Sequence, residues 1–182
     1  MLPLVIPERE YFDDSKQEFV KVKAQTLTLE HSLLSISKWE SEWKKPFLSR
    51  ETRTYEETIS YIKCMTLNSG VSDRVYRSLT VKDRNKVLDY IEDKMTATWF
   101  NDPPGGRKGG RGQVVTSELV YYWMIEYGIP FECQKWHFNR LLTLIRICEI
   151  KSGPSKKMPM RELFASNRAL NEARRKALGS KG

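Results

Sequence analysis

The stretch Leu27–Leu48, LTLEHSLLSISKWESEWKKPFL, carries the chain from one secondary structure into another, and its reading decides the fold. Before it, Phe19, Val20, Val22, Ala24, Leu27 and Leu29 are interleaved with Lys21, Lys23, Gln25, Thr26 and Thr28. A period near two belongs to a half-buried strand, so this segment predicts a small antiparallel ribbon, with Leu4–Ile6 as its second strand. After Ser32 the period lengthens. Leu33, Ile36, Trp39 and Trp43 fall on one broad helical face, Ser32 can accept from the orphan amides at the helix start, and Pro46 stops the helix.

Working outward, Thr54 and Glu57 match a capping box, followed by Tyr55, Ile59, Ile62 and Met65 at helical spacing, with Gly70 past the end. Thr80 opens another helix, with Val87, Leu88, Ile91 and Met95 expected to face inward. Thr116 begins a third, LVYYWMIEY, closed by Gly128 and Pro130, whose all-round apolarity predicts a central core helix. A fourth runs from about Glu132 to Glu149, with Phe138, Leu141, Leu142 and Ile145 on its inner side. Trp39, Trp43, Trp123 and Trp136 are assigned to the core. Between Phe100 and Gln113 the sequence FNDPPGGRKGGRGQ is too rich in Gly and Pro for either regular structure. Pro159 fits the first turn of a last helix, in which Arg161, Arg168 and Arg175 form one stripe and Leu163, Leu170 and Ala177 lie nearly opposite.

The expected architecture is mainly α: a helical single domain with a small N-terminal antiparallel β ribbon and a C-terminal basic helix. Residues 1–152 form the helical core domain with the ribbon and a flexible loop at 101–113, and residues 153–182 form a basic helical arm. A chain of 182 residues with 40% hydrophobic content can bury a core of its own. Its net charge of +8 is concentrated at one end: Lys151–Gly182 holds nine basic and two acidic side chains. Such asymmetry points to an acidic partner surface or a nucleic acid. Three widely spaced cysteines, Cys64, Cys133 and Cys148, argue for reduced thiols over a disulfide framework. No stretch approaches a secretory leader or a membrane span, so a soluble, intracellular protein without a membrane partner is expected.

The motifs that could carry chemistry are incomplete. Cys133 and His137 stand one helical turn apart, but a zinc site needs three or four ligands, and Cys148 lies roughly 16 Å further along the same expected helix. Nothing local activates any of the thiols as a nucleophile beside His31 or His137. GGRKGGRG departs from the phosphate-binding P-loop because Gly110 is followed by Arg111 and Gly112. Glu-x-Lys occurs at Glu42/Lys44, Glu92/Lys94 and Glu149/Lys151, on expected helices where residues two apart face different ways. These absences favour binding over catalysis, with no cofactor or metal. The residues expected to contact a partner are Arg161, Leu163, Phe164, Arg168, Leu170, Arg174 and Arg175, with Arg107, Lys108 and Arg111 secondary.

Several segments resemble a known group. EHSLLSISKWESEWKKPFL (Glu30–Leu48), YIKCMTL (Tyr61–Leu67), ELVYYWMIEYGIPFECQKWHFNRLLTLIRICEIK (Glu118–Lys151) and the ending ALNEARRKALGSKG resemble small proteins of tailed bacteriophages with long non-contractile tails. Those proteins are tail assembly chaperones or tail-region morphogenesis proteins, and the resemblance spans about residues 25–182. It implies a non-enzymatic, mainly helical protein of the infected host's cytoplasm that keeps the tape-measure protein soluble while the tail tube polymerises around it. Alternatives are a structural virion protein at the neck or tail, self-association, and nucleic-acid binding through the basic arm. The family has no catalytic motif to carry over, and its chaperone role does not require a basic arm.

Overall fold

A computed structural model describes residues 1–13, 17–49, 51–100, 114–152 and 168. The chain is mainly helical with a small N-terminal antiparallel β system. It divides into two compact units, Met1–Arg146 and Ile147–Gly182; of the second, Ile147–Ser152 and Arg168 are described. The loop expected at 101–113 and, apart from Arg168, the arm expected at 153–182 lie outside the described residues. Among the described residues no helix is long and apolar enough to cross a membrane.

Four strands, β1 (Leu2–Ile6), β2 (Arg9–Asp13), β3 (Glu18–Val22) and β4 (Gln25–Leu29), pair as β1 with β4 and β2 with β3, both antiparallel. The two pairs share one register: Leu4 faces Leu27 and Arg9 faces Val22, so paired numbers sum to 31 throughout. They are therefore two halves of a single hairpin, interrupted at Pro7–Glu8 and, opposite, at Lys23–Ala24. Pro7 has no amide hydrogen to give the ladder at this point, whereas Pro3 is accommodated within β1 opposite Thr28. Across this break both strands exchange faces. Leu4 and Ile6 are buried in β1, whereas β2 turns its odd-numbered Arg9, Tyr11 and Asp13 inward, and the buried pair Val20 and Val22 of β3 gives way to Leu27 and Leu29 of β4. The ribbon foreseen from Leu4–Ile6 thus gains a second half at Arg9–Asp13.

Helix α1 (Leu33–Trp43) begins at Ser32, whose hydroxyl accepts from the Ser35 amide, and ends at Lys44 in the left-handed region, two residues before Pro46. Helix α2 (Tyr55–Met65) opens with the expected reciprocal box between Thr54 and Glu57. Its buried Ile59, Ile62 and Met65 face inward while Tyr55 is exposed. A five-residue helix α3 (Asp73–Arg77) precedes α4 (Val81–Glu92), where Thr80 and Asp83 form another box. On α4 the inward residues are Val87 and Tyr90; Leu88 and Met95, expected inside, are exposed. Tyr90 wins that place because its hydroxyl finds a buried carboxylate, Glu30.

Three further expectations are overturned. Helix α5 (Ser117–Glu126) is not central: Ser117, Val120 and Met124 are buried against the body, while Tyr122 and Ile125 are exposed. It packs along α1, while Tyr121 meets Gln134 and Phe131 of the following turn. Gly128 ends it with a φ of +62°, a conformation glycine adopts without a Cβ penalty. The next helix does not start at Glu132. Phe131–Lys135 form a 3₁₀ turn, Trp136 is extended, and α6 runs from Phe138 to Ser152. The reason is tertiary: Ser32 bridges His137, and the Phe138 amide donates to the His31 carbonyl at 2.7 Å. Of the four tryptophans assigned to the core, only Trp39 is buried; Trp43, Trp123 and Trp136 are half-buried.

Candidate partner-binding site

Most of the contact residues expected from sequence, Arg161, Leu163, Phe164, Leu170, Arg174, Arg175, Arg107, Lys108 and Arg111, lie outside the described residues. Arg168 is helical and exposed. Cys133 and His137 sit on different elements, the 3₁₀ turn and the start of α6, so they do not share a helical face. Among the described residues no three His, Cys, Asp or Glu side chains gather to hold a metal. Burial pushes the Cys64 and Cys133 thiols up, which keeps both protonated and weakly nucleophilic.

The residues that do converge surround the segment Glu30–Ser32, where strand passes into helix. The Glu30 amide donates to the Met65 carbonyl, and the Leu67 amide donates to the Thr28 carbonyl. With the bonds from α6 already described, the end of β4 is held between the exit of α2 and the entry of α6. Beside it opens a cleft of about 590 Å³. Leu34 and Lys38 of α1, Met65 and Leu67 at the end of α2, Met95 beyond α4, and Lys135, Trp136 and Arg140 line it.

Its buried polar groups, His137 Nδ1 excepted, are committed to the fold. Glu30 accepts from the Tyr90 hydroxyl at 2.7 Å and pairs with the Met1 ammonium at 2.9 Å. Burial first, then the neighbouring Glu30 carboxylate, raises the Tyr90 hydroxyl, which therefore remains a donor. The Tyr61 hydroxyl, also raised by burial, shares a hydrogen bond with His31 Nδ1. His137 Nε2 lies 2.9 Å from the Tyr90 carbonyl, an acceptor only, so Nε2 carries the hydrogen there. Its Nδ1 has no hydrogen-bond partner. The two imidazoles meet edge to face, with ring centres 5.0 Å apart.

That pair predicts a pH dependence. Burial, then the proximity of His137 and Arg53, lowers His31 from 6.5 to about 3. The unfolded chain takes up a proton that the folded chain refuses, so stability falls as pH drops below 6.5 and keeps falling towards about 3. The expected slope is about 1.4 kcal/mol per pH unit. Urea denaturation between pH 6.5 and about 4.5, above the range of ordinary carboxylates, measures it. The His31→Gln variant should show a nearly flat profile there.

The cleft's free chemistry lies at its walls and rim. Its walls are thioether, aliphatic and indole surface, and methionine adapts to varied apolar shapes. At the rim Lys38, Lys135 and Arg140 are exposed, and the Arg140 guanidinium lies 4.4 Å from the centre of the Trp136 ring. The one acid lining it, Glu30, is already paired. Such a surface accepts an apolar group flanked by negative charge. It has no local sign in the sequence, because the contributing residues come from four separated segments. No protein family, curated protein or solved structure matches the chain.

Proposed function

We propose that the chain is a phage tail morphogenesis protein that binds the tape-measure protein as a tail assembly chaperone in the infected host's cytoplasm, making and breaking no covalent bond. The segments quoted above supply the phage resemblance. The observation that carries the binding role is the cleft at Glu30–Ser32, with methionine, leucine and tryptophan walls and an unpaired cationic rim. An amphipathic partner helix with acidic flanks is the complementary shape and charge. The basic arm with Arg161, Arg168, Arg174 and Arg175 is assigned a second, electrostatic contact with the same partner.

Co-expression tests this reading. The tape-measure protein should be soluble with the chain and aggregate without it. Reversing two exposed rim charges, Lys38→Glu with Arg140→Glu, should leave the fold intact by circular dichroism yet weaken the complex by about tenfold. A tape-measure protein equally soluble without the chain would remove the chaperone role. An unchanged affinity of the double variant would remove the cleft from it.

A further inference from the structure

A second cleft, on the far side of α4 in the sequence, has a different chemistry. After α4 the segment Lys94–Phe100 runs without regular structure beside α6. Its start is pinned by one side chain: Asn139 Nδ2 donates to the carbonyls of Ile91 at 2.9 Å and Asp93 at 2.7 Å. The Thr98 amide donates to Thr96 Oγ1 at 3.1 Å, tightening the middle. The far end is held by Arg146, whose guanidinium lies 3.9 Å from the centre of the Phe100 ring. Between segment and helix is a cleft of about 470 Å³.

Two features of this cleft stand apart from an ordinary surface. Trp99 is 84% exposed, the most exposed of the large apolar side chains among the described residues, with Lys94 Nζ 5.1 Å from its ring centre. Among the described residues no carboxylate lines the cleft: its polar groups are Lys94, Arg146, three threonine hydroxyls (Thr96, Thr98, Thr143) and Asn139. Leu142 is its one aliphatic wall. An apolar protein segment would find little to bury there. An unpaired base would find an indole face to stack on, hydroxyl and amide groups for its edge, and the Lys94 ammonium for an adjoining phosphate.

We propose that the Trp99–Phe100 cleft binds single-stranded nucleic acid, with Trp99 as the stacking platform and Lys94 on the phosphate backbone. Double-stranded nucleic acid is excluded from the same mode because its bases are already stacked on each other. The inference is independent of the tape-measure reading.

The test uses the full chain and a fluorescein-labelled oligothymidylate, read by fluorescence anisotropy at physiological ionic strength. The parent should bind the single strand more tightly than a duplex of equal length. Trp99→Ala changes no charge, yet should weaken binding at least about fivefold, and Trp99→Phe should restore most of it. Lys94→Gln should reduce the slope of log affinity against log salt by about one. A parent that does not bind, a duplex bound as tightly as the single strand, or a Trp99→Ala variant that binds like the parent would each overturn the proposal. The last result would assign binding to cations elsewhere, the arm included. Because Trp99 is so exposed, Trp99→Ala should melt with the parent, and that measurement separates lost stacking from lost fold.

Discussion

Replacing Trp39 by alanine is expected to remove about 3–5 kcal/mol, a large share of the roughly 5–15 kcal/mol that holds a domain folded. The side chain is 2% exposed and sits where α1 meets α2. Its Nε1 donates to the Glu57 carbonyl at 2.9 Å, its ring stacks on Trp43, and the edge of Phe47 meets it at 5.4 Å between ring centres. Arg53 completes the cluster, lying 3.8 Å from the centre of the Phe47 ring. Such packing fills the space between two helices and the turn that joins them, and alanine leaves it empty. The urea midpoint should fall accordingly, whereas Trp99→Ala on the surface should move it by no more than about 0.5 kcal/mol.

The second large effect belongs to a carboxylate. Glu40 is buried on α1, and its two oxygens accept from the amides of Phe47 at 2.8 Å and Ser117 at 2.7 Å. The second bond is the cap of α5: Thr116 occupies the capping position but its side chain makes no capping bond. A negative charge at a helix start also suits its dipole. Glu40→Ala strips both amides of their acceptor in a buried site, a loss of about 3–5 kcal/mol. Glu40→Gln keeps one acceptor oxygen and should fall about halfway. Hydrogen exchange at Ser117 and Phe47 should accelerate in both variants, and slow exchange there in Glu40→Ala would show that the bonds do not hold these segments.

Those two residues also show where the sequence was legible. Trp39 was readable as core because Leu33, Ile36 and Trp39 repeat at helical spacing behind a serine cap. The box at Thr54/Glu57 and the helix start at Thr80 were readable for the same reason: a cap is settled within four residues. The start of α6 was not, because the apolar period continues through Cys133–His137 and is broken only by pairing with His31 and Ser32, a hundred positions away in the chain. Nor could composition tell which stripe of α5 would be covered, since nearly every position in LVYYWMI is apolar and the choice is made by α1. The two-part ribbon follows from Pro7, whose missing amide was present in the sequence but whose partner break at Lys23–Ala24 was not.

The candidate clefts lie furthest from local reading. Lys38, Met65, Met95 and Arg140 share a cleft only because β4 is clamped between α2 and α6, and Trp99 faces open solvent only because Asn139 fixes the chain after α4. Basic residues in the arm drew attention by density. The cations of the clefts are few, and their meaning comes from the apolar or aromatic surface beside them.

Hydrogen exchange of the chain, alone and bound to the co-expressed tape-measure protein, tests the central assignment most directly. Gripping a partner helix in the cleft at Glu30–Ser32 predicts new protection at residues 34–38, 64–67 and 135–140, and little change at the ribbon tip, residues 10–12 and 19–21. Protection confined to other segments, or none in a complex that nonetheless forms, would contradict it.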